Sequence, residues 1–365
     1  MDKLIKLDNN KNGNYYKVKN SKFEDSFKRY VFTSTYSRAI CNQPELVGFK
    51  YTDYLEKALV LSLKAFPDKK KFLNIKDEKT FNILSFLRGG LNFGLRRAIS
   101  TSFGIKNHCS SFLSSQRYKR QNEWKIKDDQ YQKFTFYDEA NIFCGDVIAT
   151  GSTIENGFER IGQYFLENKI QIRNIVFYTI GCAKTDEILY KFHKKFKKNF
   201  PKFENTYIIY LDGIFGLAND NSKLSIKLTG TDLLRSPALL TPELELSQFD
   251  KLEYALERCT IYDAGSRSFD ITTYKEDVVE YWDQVKEIAL KNNSVFDYWH
   301  ERFPCTEYKD LETLIKSKEK AWEKVPKSVY STLLKAHDKL WEKISKKPIT
   351  LSSVCSKRIT KLNTL

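Results

Sequence analysis

About ten residues near the middle of the chain have the types and order that phosphate chemistry calls for. The run Ala140-Asn141-Ile142-Phe143-Cys144 reads as a buried strand. Gly145, Asp146, Val147, Ile148, Ala149, Thr150, Gly151, Ser152 and Thr153 follow, and a helix is expected from Ile154 to about Asn168. Open parallel sheets bind ligands at the carboxyl ends of their strands, and the free N–H groups of a helix N-terminus favour phosphate. Gly151 lets the backbone come close to an anion. Thr150, Ser152 and Thr153 add hydroxyl donors, and Asp146 can accept hydrogen bonds from sugar hydroxyls. The set suits a sugar 5-phosphate. A Gly/Ser/Thr turn that only caps a helix is the competing reading.

Two further segments could join that chemistry. Arg88-Gly89-Gly90 ends the apolar run Phe81–Leu87. Its glycines expose backbone N–H groups, and Arg88 can pair with a diphosphate oxygen. The stretch from Ser114 to Lys133, with Arg117 in it, is polar and basic. From its residues alone, the part from Ser114 to Arg120 reads as an exposed charged β-hairpin.

Strands and helices must alternate to hold these segments at one edge. Strands are expected at 81–87, 108–113, 140–144, 174–180 and 207–211, with helices near 92–101, 154–168 and 186–198. That order predicts an α/β fold with a mostly parallel sheet and helices on both faces. Residues 1–79 read as a polar N-terminal arm with a helical extension, in which Leu55, Leu59, Leu63 and Phe66 recur at helical spacing. Residues 80–240 form the expected α/β domain. Residues 241–365 read as a mainly helical C-terminal subdomain, with apolar faces at Val278, Trp282, Val285 and Ala289 and at Val329, Leu333, Leu340 and Ile344.

The 365 residues are 41% hydrophobic and 14% aromatic, enough for a packed core. The formal charge of +15 favours polyanions, small phosphate esters and nucleic acid alike, unless it is only spread over solvated faces. The seven cysteines form no C-x-x-C pair, which points to buried thiols in a reducing compartment. No secretory signal or membrane-length apolar run is read at the start or elsewhere, so a cytoplasmic location and no membrane partner are expected. The histidines show no metal spacing, and His193 and His337 are expected at the surface. The tryptophans at 282, 299, 322 and 341 are expected in packing rather than base stacking.

The segment from Asp146 to Thr153, behind its apolar strand, resembles the phosphoribosyl-pyrophosphate (PRPP) motif of type I phosphoribosyltransferases. Arg88-Gly89-Gly90 is similar to that family's pyrophosphate loop, particularly its uracil-type version. The resemblance implies PRPP bound by Asp146, Val147, Ala149, Thr150, Gly151, Ser152 and Thr153 and by Arg88, Gly89 and Gly90. It implies Mg²⁺ as cofactor and a small nitrogen acceptor, a nucleobase among the candidates. Asp146 would orient the ribose, while Arg88 and Arg117, the latter on a closing loop, would face the leaving pyrophosphate. Asp212 ends a later strand where purine-type members bind magnesium. Asp263-Ala264-Gly265 is similar to the segment with which uracil-type members read their base, though it comes later in this chain. The family has two adjacent acids at the head of the loop, and here the first is Gly145. Ala149 stands where some purine enzymes carry an acid. The departure at Gly145 keeps a second reading open: the same fold used as a regulator or effector that binds nucleotide or nucleic acid. A homo-oligomer is compatible with both.

Overall fold

Aromatic and β-branched residues fill whole runs of this chain, and runs covered on both faces become interior strands of a parallel sheet. Tyr207 to Leu211, Ile175 to Tyr178 and Ile142 to Cys144 are buried throughout. The computed structural model describes residues 2–7, 13–19, 22–87, 91, 94–120, 123–218, 232–258, 261–262, 270–290, 294–303, 308–346 and 349–365, with backbone alone for 115–120 and 123–130.

The elements begin with β1 (Lys3–Lys6), β2 (Asn14–Lys19), β3 (Phe27–Thr33), α1 (Thr35–Asn42), α2 (Gly48–Lys64) and α3 (Lys69–Leu73). The centre holds β4 (Phe81–Leu87), α4 (Leu95–Phe103), β5 (Cys109–Arg120), β6 (Glu123–Lys133), β7 (Glu139–Ile148), α5 (Ser152–Glu167), β8 (Gln171–Cys182), α6 (Lys184–Asn199) and β9 (Asn205–Leu217). After these come β10 (Leu233–Leu240), α7 (Pro242–Ser247), α8 (Leu252–Leu256), α9 (Ile271–Ala289) and α10 (Val295–Arg302). The chain ends with α11 (Leu311–Lys318), β11 (Trp322–Glu323), α12 (Lys327–Lys346) and α13 (Leu351–Leu362).

All eleven described strands belong to one sheet, in the order β11-β1-β2-β3-β9-β8-β7-β4-β5-β6, with β10 also on β9. The strands from β3 across to β5 run parallel. β1–β2, β2–β3, β5–β6 and β9–β10 are antiparallel. The sheet is therefore mixed, where the sequence suggested a mostly parallel one. The added strands escaped notice for physical reasons. β1 and β2 are short and Lys-rich, so their buried Leu4, Tyr15, Tyr16 and Val18 looked like an arm. β6 is a charged edge strand, the form edges take to avoid further pairing.

Helices cover both faces. Tyr178 meets Ser62 of α2 at 2.9 Å, while its neighbour Phe177 packs on Phe158 of α5, and successive residues of a strand point to opposite faces. Register at the amino ends of the strands is pinned by a chain of buried amides. Asn205 Nδ2 donates to Asn174 at 3.1 Å, and Asn174 Nδ2 donates to Asn141 at 2.9 Å.

Residues after 240 supply β11 and seven described helices. β11 pairs with β1, and Trp322 Nε1 donates to Leu240 O at 2.9 Å. One hydrophobic cluster runs from Leu4 to Leu362. Trp282, Trp299 and Trp322 are buried in it, as expected. His193 and His337 are also buried, contrary to the surface role expected for them. Their lysine neighbours point outward, but His193 lies on the face of α6 that carries Phe192 and Phe196, and His337 packs edge-on to Phe249. The five described cysteines are buried and unbridged. No helix among the described residues is long and apolar enough to cross a membrane.

Candidate ligand-binding site

The central parallel strands lie in the order β5-β4-β7-β8-β9. From β4 the chain moves outward to β5, whereas from β7 it moves the other way to β8 and β9. The order therefore reverses between β4 and β7, which is where open α/β sheets hold ligands, outside the carboxyl ends. Pairing of β4 with β7 stops at Ile83 and Phe143, short of both ends. Ala149, Thr150 and Gly151 follow β7 at this point and lead into α5.

Gly151 is the N-cap of α5, with φ +78, a left-handed conformation that glycine adopts without penalty. A side chain there would also overlap Ile188 Cδ1 of α6. Gly151 offers no side-chain cap, so the first N–H groups of a 16-residue helix face the loop without an intrahelical acceptor. The Ser152 hydroxyl is buried there with no partner among the described residues. Such a group costs about 1–3 kcal/mol unless something bonds to it. Together these features suit an anion.

Asp146 stands beside that helix start, half-buried, level with Thr179 of β8. Its Oδ1 accepts the Val147 N–H at 2.8 Å, which fixes the carboxylate at the strand end. Burial, with the Asp146 charge behind it, pushes the thiol of Cys144 well above its usual range, so that sulfur stays protonated. Gly145 is closed from the other side. A Cβ on it would come within 3.1 Å of both Cβ and O of Leu91, and 3.0 Å from Tyr178 O. Leu91 is fully buried at the entry to α4. A side chain at 145 would therefore need Leu91 or Tyr178 to give way by a few tenths of an ångström. The loop carries one carboxylate.

Asp212 also lies at the carboxyl edge, two strands from Asp146, in a bulge of β9. Between the pairs Thr179–Tyr210 and Gly181–Ile214, β9 has two more residues than β8. Asp212 takes φ +66 there, and bulges commonly re-aim a side chain. Its carboxyl is fully buried; Thr33 Oγ1 donates to Oδ1 at 2.6 Å, and Oδ2 has no hydrogen-bond partner among the described residues. Arg38 donates to the same Thr33 hydroxyl at 2.9 Å. Burial raises the acid to about 7, against the opposing pull of Arg38, Thr33 and Ser37, with Glu243 adding to the rise. A magnesium ion does not fit this carboxyl, which is sealed from solvent and already faces a guanidinium.

The sign of the resulting pH dependence follows from the protonated native form. Between the ordinary Asp pKa of about 3.9 and about 7 the folded chain holds a proton that the unfolded chain has released, so stability falls as pH rises through that window. We expect Asp212→Asn to gain on the parent by roughly 2–3 kcal/mol between pH 5 and pH 8. Urea unfolding of both chains at the two pH values measures this, and parallel profiles would contradict the assignment.

The other expected site residues divide plainly. Arg88, Gly89, Gly90, Asp263, Ala264 and Gly265 lie outside the described residues. Arg117 has a described backbone, opposite Ile126 in the β5–β6 hairpin and three residues beyond Ser114, which pairs with the last residue of β4. The antiparallel hairpin is therefore what the Ser114–Lys133 stretch forms. Val147, Ala149, Thr150, Gly151, Ser152 and Thr153 come together with Asp146 at the reversal point. Leu91 and Ile188 were not legible as site-shaping residues, because each acts through a glycine distant in sequence.

No protein-family model matches this chain, and no curated protein does. Among solved structures, the chain is similar to the adenine phosphoribosyl transferase from Trypanosoma brucei in complex with AMP, pyrophosphate and ribose-5-phosphate. The identity is 12%, over 50% of this chain and 83% of that one, with a TM-score of 0.32. It is also similar to the purine phosphoribosyltransferase from Pyrococcus horikoshii Ot3, at 16% identity over 44% and 81% of the two chains, TM-score 0.22. A third is the L. donovani hypoxanthine-guanine phosphoribosyl transferase, at 11% identity over 38% and 74%, TM-score 0.25. At these scores the likeness carries no weight for function, which rests on the residues of the site.

Proposed function

We propose that the loop from Asp146 to Thr153 binds the 5-phosphate and sugar of PRPP, and that the chain transfers the phosphoribosyl group to a nitrogen acceptor, releasing pyrophosphate. The observation that carries this reading is the uncapped N-terminus of α5, with its buried Ser152 hydroxyl unpartnered among the described residues, beside Asp146 at the reversal point of the sheet. The phosphate would lie against the first N–H groups of α5 and the hydroxyls of Thr150, Ser152 and Thr153. Asp146 would accept from a ribose hydroxyl and set the anomeric carbon. The nitrogen of the acceptor forms the new bond to that carbon as the bond to pyrophosphate breaks. Arg88 and the N–H groups of Gly89 and Gly90 would receive the leaving group, with Arg117 brought over by the hairpin.

In this reading Mg²⁺, when bound, would supply charge neutralisation on the pyrophosphate, and Asp212, sealed from solvent, would not hold it. A nucleobase is the acceptor to try first. The test is to incubate the chain with PRPP, Mg²⁺ and single nucleobases and to measure pyrophosphate. Release that depends on one base supports transfer; PRPP bound without release under any base would overturn it.

A second reading is favoured by Gly145, which leaves one carboxylate at the loop. The same loop would then bind a nucleotide in a regulator or effector without transfer. Asp146→Ala separates a built site from a fortuitous turn under both readings. A lost charge-assisted hydrogen bond of about 1.5–3 kcal/mol predicts at least tenfold weaker binding of the phosphosugar.

A further inference from the structure

The last 58 residues, 308–365, carry 14 Lys and Arg against 6 Asp and Glu, a net +8 of the chain's +15. Much of this charge lies on α12. Lys335, Lys339 and Lys343 follow one another at four-residue spacing, and Lys346 comes three residues later. At 100° and 1.5 Å per residue they fall within an arc of about 80° and a length of about 16 Å. All four are exposed, while Leu333, His337 and Leu340 turn to the core.

The acids nearby do not cancel the three leading lysines. Glu342 is engaged by Lys346, and Asp338 lies 3.0 Å from His337 Nδ1. Among the described residues, Lys335, Lys339 and Lys343 form no ion pair or hydrogen bond. The other Lys-rich helix, α6, is a contrast: Lys184, Lys191, Lys195 and Lys197, four of its six lysines, pair with Glu187, Glu155, Glu159 and Glu24. Unopposed like charges on one helix face repel one another, and a polyanion relieves that repulsion while releasing its counterions. A lipid surface suits the face less well. The residues interleaved with the lysines are Thr332, Asp338 and Glu342, with no apolar side chain to enter a membrane.

We infer that the lysine face of α12 is a docking surface for the phosphate backbone of nucleic acid, separate from the loop after β7. α12 starts just past β11, at the edge of the sheet and six strands from β7, about 29 Å along the sheet at 4.8 Å per strand. The surface reads charge and spacing, without base contacts.

The test is fluorescence anisotropy of a labelled 20-base-pair DNA duplex with the full chain between 50 and 200 mM salt. The triple variant Lys335→Gln, Lys339→Gln, Lys343→Gln should bind at least tenfold more weakly at 100 mM salt. The slope of log K against log salt should drop by about 2.7, three contacts at about 0.9 each. A control triple, Lys64→Gln, Lys194→Gln, Lys198→Gln, removes the same charge elsewhere and should change the slope by less than about 1. Circular dichroism melts show that both triples fold. Equal weakening by the two triples would overturn the surface, because only net charge would then matter. Absence of duplex binding at 50 mM salt would overturn it too, as would binding to anionic vesicles alone.

Discussion

A Gly151→Val chain is expected to lose about 3 kcal/mol or more of stability, together with all binding at the loop. Two costs add. A left-handed backbone costs a residue with a Cβ roughly 1–2 kcal/mol, and a β-branched one is the worst case. The new side chain also overlaps Ile188 Cδ1, so the Ile188 side chain must turn away or the first turn of α5 must open. Opening of that turn displaces the N–H groups at the start of α5. Combining the change with Ile188→Ala should remove the overlap and leave the backbone cost, so the double variant should lose less than the sum of the singles. Urea unfolding of the four chains measures this. A Gly151→Val chain within about 0.5 kcal/mol of the parent would show that the turn is not held as described.

Arg358→Ala should destabilise by about 3–5 kcal/mol, the cost of leaving a buried carboxylate without its cation. Arg358 of α13 is buried, and its Nε meets Glu257 Oε2 at 2.7 Å while Nη2 meets Glu45 Oε2 at 2.8 Å. Burial pushes Glu45 up, but Arg358 and Lys361 outweigh it and hold the acid at about 2. At Glu257, deeper still, burial wins and the acid is raised, even with the Trp282 indole donating at 2.6 Å. These bonds tie the last helix to the α1–α2 turn and to the end of α8, so the loss should be global. Removing both charges, as Glu257→Gln with Arg358→Met, should recover much of the loss, because two neutral side chains leave fewer buried orphans. Denaturant midpoints of single and double variants decide it; additive effects would contradict a coupled pair.

The strands that build the site were legible because burial on both faces leaves few polar residues to blur the pattern. β7, β8 and β9 each announce themselves as apolar runs, and β4 does so less strongly. The glycine, serine and threonine after β7 were legible for the same chemical reason that they work: few residues tolerate that turn and also offer donors. Other features were hidden because their causes lie far apart in sequence. Gly145 looks like a missing acid, and nothing near it in sequence shows how close Leu91 and Tyr178 lie. Asp212 looks like an exposed strand-end acid until Thr33 and Arg38, from the other end of the chain, enclose it. β1 and β2 bury only one or two residues at a time, and charged residues alternate with them. His193 reads as surface because a Lys-rich helix still needs one buried face, and its lysines outnumber the buried apolar side chains, Ile188, Leu189, Phe192 and Phe196, that mark that face.

Calorimetric titration of PRPP with Mg²⁺ into the parent chain and into Asp146→Ala tests the central claim most directly. The account predicts binding in the micromolar range to the parent, weakened at least tenfold in the variant, with both chains unfolding at similar urea concentrations. No heat at millimolar PRPP, or equal affinity in the two chains, would contradict it.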